Sequence, residues 1–259
     1  MIPVREIREK AREYSVPLST IERDYAQNWL LAYLAPIRMA LKGGTGIRKV
    51  FIENYRFSDD LDFTLLEPMD KDTLHSAIQK SVIQVRDECG IQFEDEVVFA
   101  HTESGFQYKA KFRIMNPIAT APINIKLDIT SPMNEQILLP VQQKPIFHHF
   151  SDPLEVLVTS YALEEIMAEK IRAIFQRTHP RDLYDVWQLS GHVNRDQVRS
   201  ILPAKCTYKM VVPNTSLIRA KRDQLEAAWD PTFRHQMKTV PSFQEAFERL
   251  EMVIGHYLL

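Results

Sequence analysis

Asp60 and Asp62 stand two apart in a stretch where Leu61, Phe63 and Leu65 alternate with Asp60, Asp62 and Thr64. Alternation at period two reads as a strand with one buried face, so both carboxylates leave the same wet face. A second alternating stretch sets Ile123, Ile125, Leu127 and Ile129 against Asn124, Lys126 and Asp128, which places a third carboxylate on the polar face of another strand. Hard Mg²⁺ takes oxygen donors from a few carboxylates and completes its shell with water and phosphate, so Asp60, Asp62 and Asp128 form a candidate metal set. Taken alone, a D-x-D pair more often marks a turn and a solvated strand face. The tripeptide Gly43-Gly44-Thr45 just upstream changes that balance. Glycines let the backbone come close to a phosphate, a helix N-terminus behind them presents unpaired N–H groups, and Thr45 adds a hydroxyl. Alone, the tripeptide reads as a tight turn; turn, helix and D-x-D strand in succession are rarer than either piece.

A second set lies in the C-terminal half. Lys170 falls on an amphipathic helical pattern, from which a point charge can reach a triphosphate; the alternative is a solvated helix lysine. Arg181 offers a bidentate phosphate contact, Asp182 reads equally well as a helix N-cap, and Asp185 lies one turn on. Asp185 is therefore the better catalytic candidate of the two. Lys109, Lys111 and Arg113 share one strand face and, with Lys126, could follow an RNA backbone, although an exposed charged sheet face explains them as well. Adjacent His148 and His149 would point to opposite faces of a strand, which argues against a shared metal. Trp187 and Trp229 read as core anchors.

Two halves must position these groups. In the first, residues 21–34 have helical spacing after Ser19-Thr20-Ile21-Glu22, which resembles a capping box, and Pro36 closes that helix. Residues 37–41 read as a buried strand leading into the glycine turn, residues 46–55 as the helix behind it, and residues 71–88 as an amphipathic helix ended by Gly90. Strands follow over 106–114 and 123–129. From Pro145 the alternation fades, and helices are expected over 154–176, 182–189, 195–202, 216–229 and 242–257. The expectation is an α+β chain: a mixed sheet with flanking helices over residues 1–150, then a helical domain over 151–259 that completes the active-site cleft.

At 259 residues, with 45% hydrophobic and 25% charged residues, the composition is that of a globular protein and argues against disorder. Seven glycines against fifteen prolines suggest rigid connections. Cys89 and Cys206 are isolated, so neither a disulfide framework nor a zinc site is expected, which suits a reduced cytoplasmic setting. The charged N-terminus has no apolar segment of a secretory signal, and no run approaches a membrane span. A net charge of −2 means that any nucleic-acid contact must come from local basic clusters.

Leu41-Lys42-Gly43-Gly44-Thr45, followed by Arg56-Phe57-Ser58-Asp59-Asp60-Leu61-Asp62-Phe63, resembles the AbiEii/AbiGii toxin family of nucleotidyltransferases, a branch of the DNA polymerase β-type superfamily. Glu165-Ile166-Met167-Ala168-Glu169-Lys170 through Arg181-Asp182-Leu183-Tyr184-Asp185 is similar to that family's second block, a Lys followed by Arg-Asp-x-x-Asp. Many superfamily members have Gly-Ser where this chain has Gly-Gly-Thr, which matches the toxin branch. The resemblance implies an NTP-dependent, pyrophosphate-releasing enzyme. In it Asp60, Asp62, Lys170 and Asp185 are catalytic, Lys42, Gly43, Gly44, Thr45, Ser58 and Arg181 bind nucleotide, and Asp60, Asp62 and Asp128 hold Mg²⁺. It further implies a toxin–antitoxin or phage-defence role, tRNA 3′ ends as acceptor, and a transcriptional-regulator antitoxin as partner. A protein or small-molecule acceptor, or a catalytically idle binding module, remain the competing readings.

Overall fold

In the computed structural model, which describes residues 1–115 and 121–258, the chain divides into two units. The first comprises Met1–Glu135 and Val141–Tyr161, the second Gln136–Pro140 and Ala162–Leu259.

The first unit is built on a mixed sheet. Its strands are β1 (Met39–Lys42), β2 (Asp60–Leu65), β3 (Gln92–Phe93), β4 (Val98–Thr102), β5 (Gly105–Arg113), β6 (Ile123–Thr130), β7 (Gln142–Pro145) and β8 (Leu157–Ser160). They lie in the order β3-β5-β6-β2-β1-β8-β7, with β4 also paired to β5. The central strand β2 runs antiparallel to β1 and parallel to β6, while β5 and β6 are antiparallel. The alternation read from sequence decides which face is inside: Leu61, Phe63, Leu127, Ile129, Tyr108 and Phe112 are buried in the hydrophobic core. Helices α1 (Val4–Glu13), α2 (Leu18–Leu34) and, after the single turn α3 (Gly43–Gly46), α4 (Lys71–Cys89) flank the sheet, with Ile7, Leu30, Leu74, Ile78 and Val82 of α1, α2 and α4 in the same core. Asp70 caps α4 by accepting from the N–H groups of Asp72 and Thr73 at 3.1 and 2.9 Å, and Gly90, at φ 75°, closes it.

Three local expectations change. Ser19 and Thr20 lie inside α2, which begins at Leu18 after Pro17 without a side-chain cap; the proline sets the start in place of the capping box. The charged N-terminus forms α1, held by burial of Ile7 and Ala11. The sheet persists beyond Phe150: β8 lies parallel to β1 through Leu41 and Ser160, the helical unit begins at Ala162, and of the expected 154–176 helix only Leu163–Gln176 is helical while Leu157–Ser160 is strand.

The second unit contains α5 (Leu163–Gln176), α6 (Pro180–Leu189), α7 (Arg195–Tyr208), α8 (Thr215–Ala220), α9 (Arg222–Phe233) and α10 (Phe243–Leu258). Helix α7 continues through Pro203 because the residues beyond it, Lys205 and Cys206, are buried. Lys205 is fully buried, pairs with Glu165 and Glu169 at 2.5 and 3.1 Å, and donates to the Gln136 carbonyl. Glu165 also accepts from the N–H groups of Leu138 and Leu139. Those contacts bind the segment Gln136–Pro140 to the helices. Trp229 is 2% exposed, packs edge-on against Phe233 and Phe243, and donates from its indole N–H to the Pro241 carbonyl at 2.8 Å.

Candidate active site

The carboxylates come together through strand register. Asp62 of β2 lies opposite Asp128 of β6 and opposite Lys42 of β1, and Asp60 lies opposite Lys126. On the far side of β6, Gln107 and Lys109 of β5 lie opposite Asp128 and Lys126. Two rows therefore cross the polar face of the sheet: Gln107, Asp128, Asp62, Lys42 and, one pleat along, Lys109, Lys126, Asp60. Aspartates directly opposed on neighbouring strands repel unless a cation or a donor lies between them. Here the Lys126 ammonium is 2.7 Å from Asp128 Oδ2 and 3.9 Å from Asp60 Oδ2, and the Gln107 amide donates to Asp128 Oδ1 at 2.8 Å. Burial lowers the pKa of Lys126, but Asp128, Asp60 and Asp62 outweigh it and hold the pKa above its ordinary value.

The glycine turn closes on this row. Gly43 sits at φ 67°, in the left-handed region, and a Cβ built there would lie 2.4 Å from Asp62 Oδ2. At Gly44 a Cβ would lie 2.8 Å from Arg56 Nη2 and 3.0 Å from Ser58 Oγ. Both glycines thus leave room for what packs against them: the Asp62 carboxylate at the first, a buried guanidinium and a hydroxyl at the second. Residues 43–46 form a single helical turn that passes into a π-type turn at Ile47–Phe51, with the Ile52 N–H donating to the Ile47 carbonyl at 2.9 Å. This is the helix expected over 46–55, shorter and beginning at the glycines themselves. It is anchored from behind. Arg48 and Lys49 reach Asp24 of α2 at 2.7 and 2.6 Å, and all three are buried. Burial raises the Asp24 pKa, yet the two cations outweigh it and leave the carboxyl far below its usual range; Lys49 is pushed down to about 8, chiefly by burial.

Two residues expected to bind nucleotide are engaged within the protein. The Thr45 hydroxyl is buried and donates to the Asp60 carbonyl, so Thr45 ties the turn to β2 instead of presenting its oxygen. Lys42 lies over the Tyr161 ring, 5.4 Å from its centroid, with its ammonium 4.0 Å from the buried Glu135 carboxylate. Ser58 is buried beside Gly44. Arg56, Lys126 and Gln107 belong to the site by geometry; of these, the alternation in sequence places Lys126 and Gln107 on polar strand faces and does not single out Arg56.

In the helical unit, Lys170 reaches Asp182 Oδ1 at 3.0 Å and Asp185 Oδ2 at 2.7 Å. Arg177 closes on Asp182 with Nε 2.7 Å from Oδ2. Helix α6 begins at Pro180 with no side-chain cap, so Asp182 is an ion-pair partner and not an N-cap. Burial raises its pKa, and Lys170 and Arg177 more than offset that and leave it lowered. Arg181 is half-buried at the start of α6. His148 is bound by Asp152 at 3.0 Å and contacts Asn28, while His149 stacks on Phe147, so the two rings have separate surroundings. Cys89 and Cys206 are buried free thiols. Among the described residues no group of three or more His, Cys, Asp or Glu is drawn together as a ready ligand cluster. The donor chemistry still suits a hard divalent ion: carboxylates of Asp60, Asp62 and Asp128 occupy adjacent positions on one sheet face, about one-third exposed at Asp60 and Asp128.

The family model of the AbiEii nucleotidyl transferase toxin, of type IV toxin–antitoxin systems, matches residues 29–251. The chain belongs to this family. It is a nucleotidyltransferase, and the family implies an NTP substrate and an antitoxin partner. Nucleotidyltransferases of this kind generally use a divalent metal. Comparison with curated proteins finds no match. Among solved structures, MenT4, a nucleotidyltransferase toxin from Mycobacterium tuberculosis, is 16% identical with a TM-score of 0.70, the match covering 100% of this chain and 90% of that one. JHP933 from Helicobacter pylori is 18% identical with a TM-score of 0.60, covering 94% of each chain. These likenesses support the mixed-sheet-plus-helices fold. No helix among the described residues is long and apolar enough to cross a membrane.

Proposed function

We propose that this toxin-family enzyme transfers a nucleoside monophosphate from an NTP to the 3′-terminal hydroxyl of tRNA in a Mg²⁺-dependent reaction in the cytoplasm, as the toxin of an antitoxin-controlled or phage-defence pair. The observation that carries the chemistry is the packing of the Gly43 backbone against the Asp62 carboxylate, with Asp128 in register on the next strand. A turn whose glycine leaves no side chain beside a carboxylate lets triphosphate and metal ligand share one small space. Asp60, Asp62 and Asp128 would hold the divalent ion, which when bound neutralises phosphate charge and steadies the leaving pyrophosphate.

The chain's own residues do the positioning. Thr45 fixes the turn to β2 through the Asp60 carbonyl, and Arg48 and Lys49 fix its helix to α2. In the transfer, the acceptor oxygen bonds to the α-phosphorus and the bond to the bridging oxygen breaks. Pyrophosphate leaves with that electron pair, and the hydroxyl proton passes to solvent. Rate enhancement then comes from orientation and charge neutralisation. The same reading keeps Lys170, Asp185 and Arg181 as nucleotide-handling residues of the helical unit. A tRNA acceptor accords with the exposed Lys109 on the polar face, whereas Lys111 and Arg113 are paired with Glu94.

The test is incubation of the protein with each α-³²P-labelled NTP, Mg²⁺ and total tRNA, beside the Asp60→Ala/Asp62→Ala variant. Label in tRNA with the wild type alone is the expected result. Label in protein or small molecules instead would move the acceptor. Label nowhere, from a folded protein, would overturn the transfer reading.

A further inference from the structure

The Lys126 ammonium stands where a metal ion would have to compete with it. Lys126 and Asp128 leave the same face of β6, and β2 presents Asp60 opposite Lys126 and Asp62 opposite Asp128. The ammonium is 2.7 Å from Asp128 Oδ2 and 3.9 Å from Asp60 Oδ2, and Gln107 takes Asp128 Oδ1 at 2.8 Å. Both oxygens of Asp128 therefore have a donor. A divalent ion binds carboxylate oxygen at about 2.0–2.1 Å, so an ion on Asp128 would lie within a few ångströms of the Lys126 ammonium, and the two positive charges oppose each other at Asp128. Lys126 is about one-third exposed at its side chain, 33%, and its four-carbon stem can swing the charge elsewhere. An NTP triphosphate at the glycine turn is a new partner for that charge.

We propose that Lys126 is a positioning residue that acts as an internal counter-cation: it holds Asp60 and Asp128 in place of the metal, and gives them up when a triphosphate arrives. Divalent ion and nucleotide then enter together, since each relieves what opposes the other, a reciprocal coupling between two ligands. The inference rests on the reading of Asp60, Asp62 and Asp128 as metal ligands.

The experiment is Mn²⁺ titration followed by electron paramagnetic resonance, because Mn²⁺ accepts the same oxygen ligands and is visible to the method. Wild type, Lys126→Gln and Lys126→Arg are compared with and without a non-hydrolysable NTP analogue. Without nucleotide, Lys126→Gln is expected to bind Mn²⁺ roughly tenfold more tightly, the order expected for removing one positive charge a few ångströms from a divalent ion under aqueous screening. Lys126→Arg should stay near wild type, and the analogue should tighten Mn²⁺ binding far more in wild type than in Lys126→Gln. Thermal melting confirms that each variant is folded. Equal or weaker Mn²⁺ binding by folded Lys126→Gln would sink the counter-cation while leaving the metal site standing. If neither protein binds Mn²⁺, or Asp62→Asn leaves the Lys126→Gln affinity unchanged, the metal-ligand reading falls and this inference with it.

Discussion

Replacing Gly43 by alanine separates backbone strain from damage to the site, because Gly90 provides a matched control. Gly43 has φ 67° and Gly90 φ 75°, so both substitutions force an L-residue into the left-handed region, which costs about 1–2 kcal/mol. At a chain of this size that is a fall in Tm of roughly 2–8 °C, at about 2–4 °C per kcal/mol. The surroundings differ. A Cβ at Gly90 meets nothing within 4 Å, whereas one at Gly43 would lie 2.4 Å from Asp62 Oδ2 and 3.1 Å from Asp62 Cβ. Ordinary contact needs about 1 Å more room, and turning the carboxylate is the least costly way to gain it. Gly43→Ala and Gly90→Ala should therefore melt within a few degrees of each other. Displacing a reacting geometry by about 1 Å costs on the order of 10²-fold in rate, so kcat/KM for nucleotidyl transfer should fall by that order in Gly43→Ala alone. The assay is a pair of melts by circular dichroism beside labelled-NTP transfer. Wild-type transfer by folded Gly43→Ala would refute the placement of Asp62 in the working site.

Two further perturbations test the supports of the site. Asp24→Asn leaves Arg48 and Lys49 without their buried counter-charge and should destabilise the protein by about 3–5 kcal/mol, read as a lowered urea midpoint; an unchanged midpoint would remove this cluster from the fold's essential contacts. In the wild type the folded pKa of Asp24 lies below its ordinary 3.8. The unfolded chain binds that proton first, so the contribution of Asp24 is intact above this value and is lost as pH falls through and below it. Lys49, lowered from 10.5 to about 8, has the same sign in a higher window: the unfolded chain holds its proton more tightly, so stability from this group rises with pH between those values. Lys170→Met should cost about 3 kcal/mol or more by removing the ammonium that the buried carboxylates of Asp182 and Asp185 share. Transfer by a Lys170→Met protein that is still folded at assay temperature decides whether the lysine also handles nucleotide, and transfer at the wild-type rate would confine it to structure.

The parts of this architecture written in local pattern were legible in the sequence. Period two at Asp60–Leu65 and Ile123–Thr130 placed the aspartates on the wet face, and the spacing of Leu74, Ile78, Val82 and Val85 with Gly90 beyond defined α4. Where tertiary packing decides, pattern misled. The apolar run around Leu157–Ser160 is as compatible with a buried helix as with a strand, and only its place beside β1 settles the matter. Helix α1 is dense in charge, and its two buried positions, Ile7 and Ala11, are too few to stand out. Pro203 reads as a helix end, yet α7 continues because Lys205 fits into a buried cluster with Glu165 and Glu169.

The candidate site divides along the same line. That Asp60 and Asp62 share a face follows from chain chemistry, since neighbouring side chains on a strand alternate whatever the fold. That Lys126 stands beside Asp60, or that Asp62 presses on Gly43, follows only from which strands pair and in which register. A shift of one residue between β2 and β6 would turn Asp128 to the opposite face and leave Asp62 beside a leucine or an isoleucine. Such a shift would also bury charge on the core face that Leu127 and Ile129 now fill. The hydrophobic pattern that selects the fold therefore also enforces the alignment of the carboxylates. Substitutions that loosen this core, such as Leu127→Ala, must be read for their effect on register before any loss of transfer is credited to chemistry.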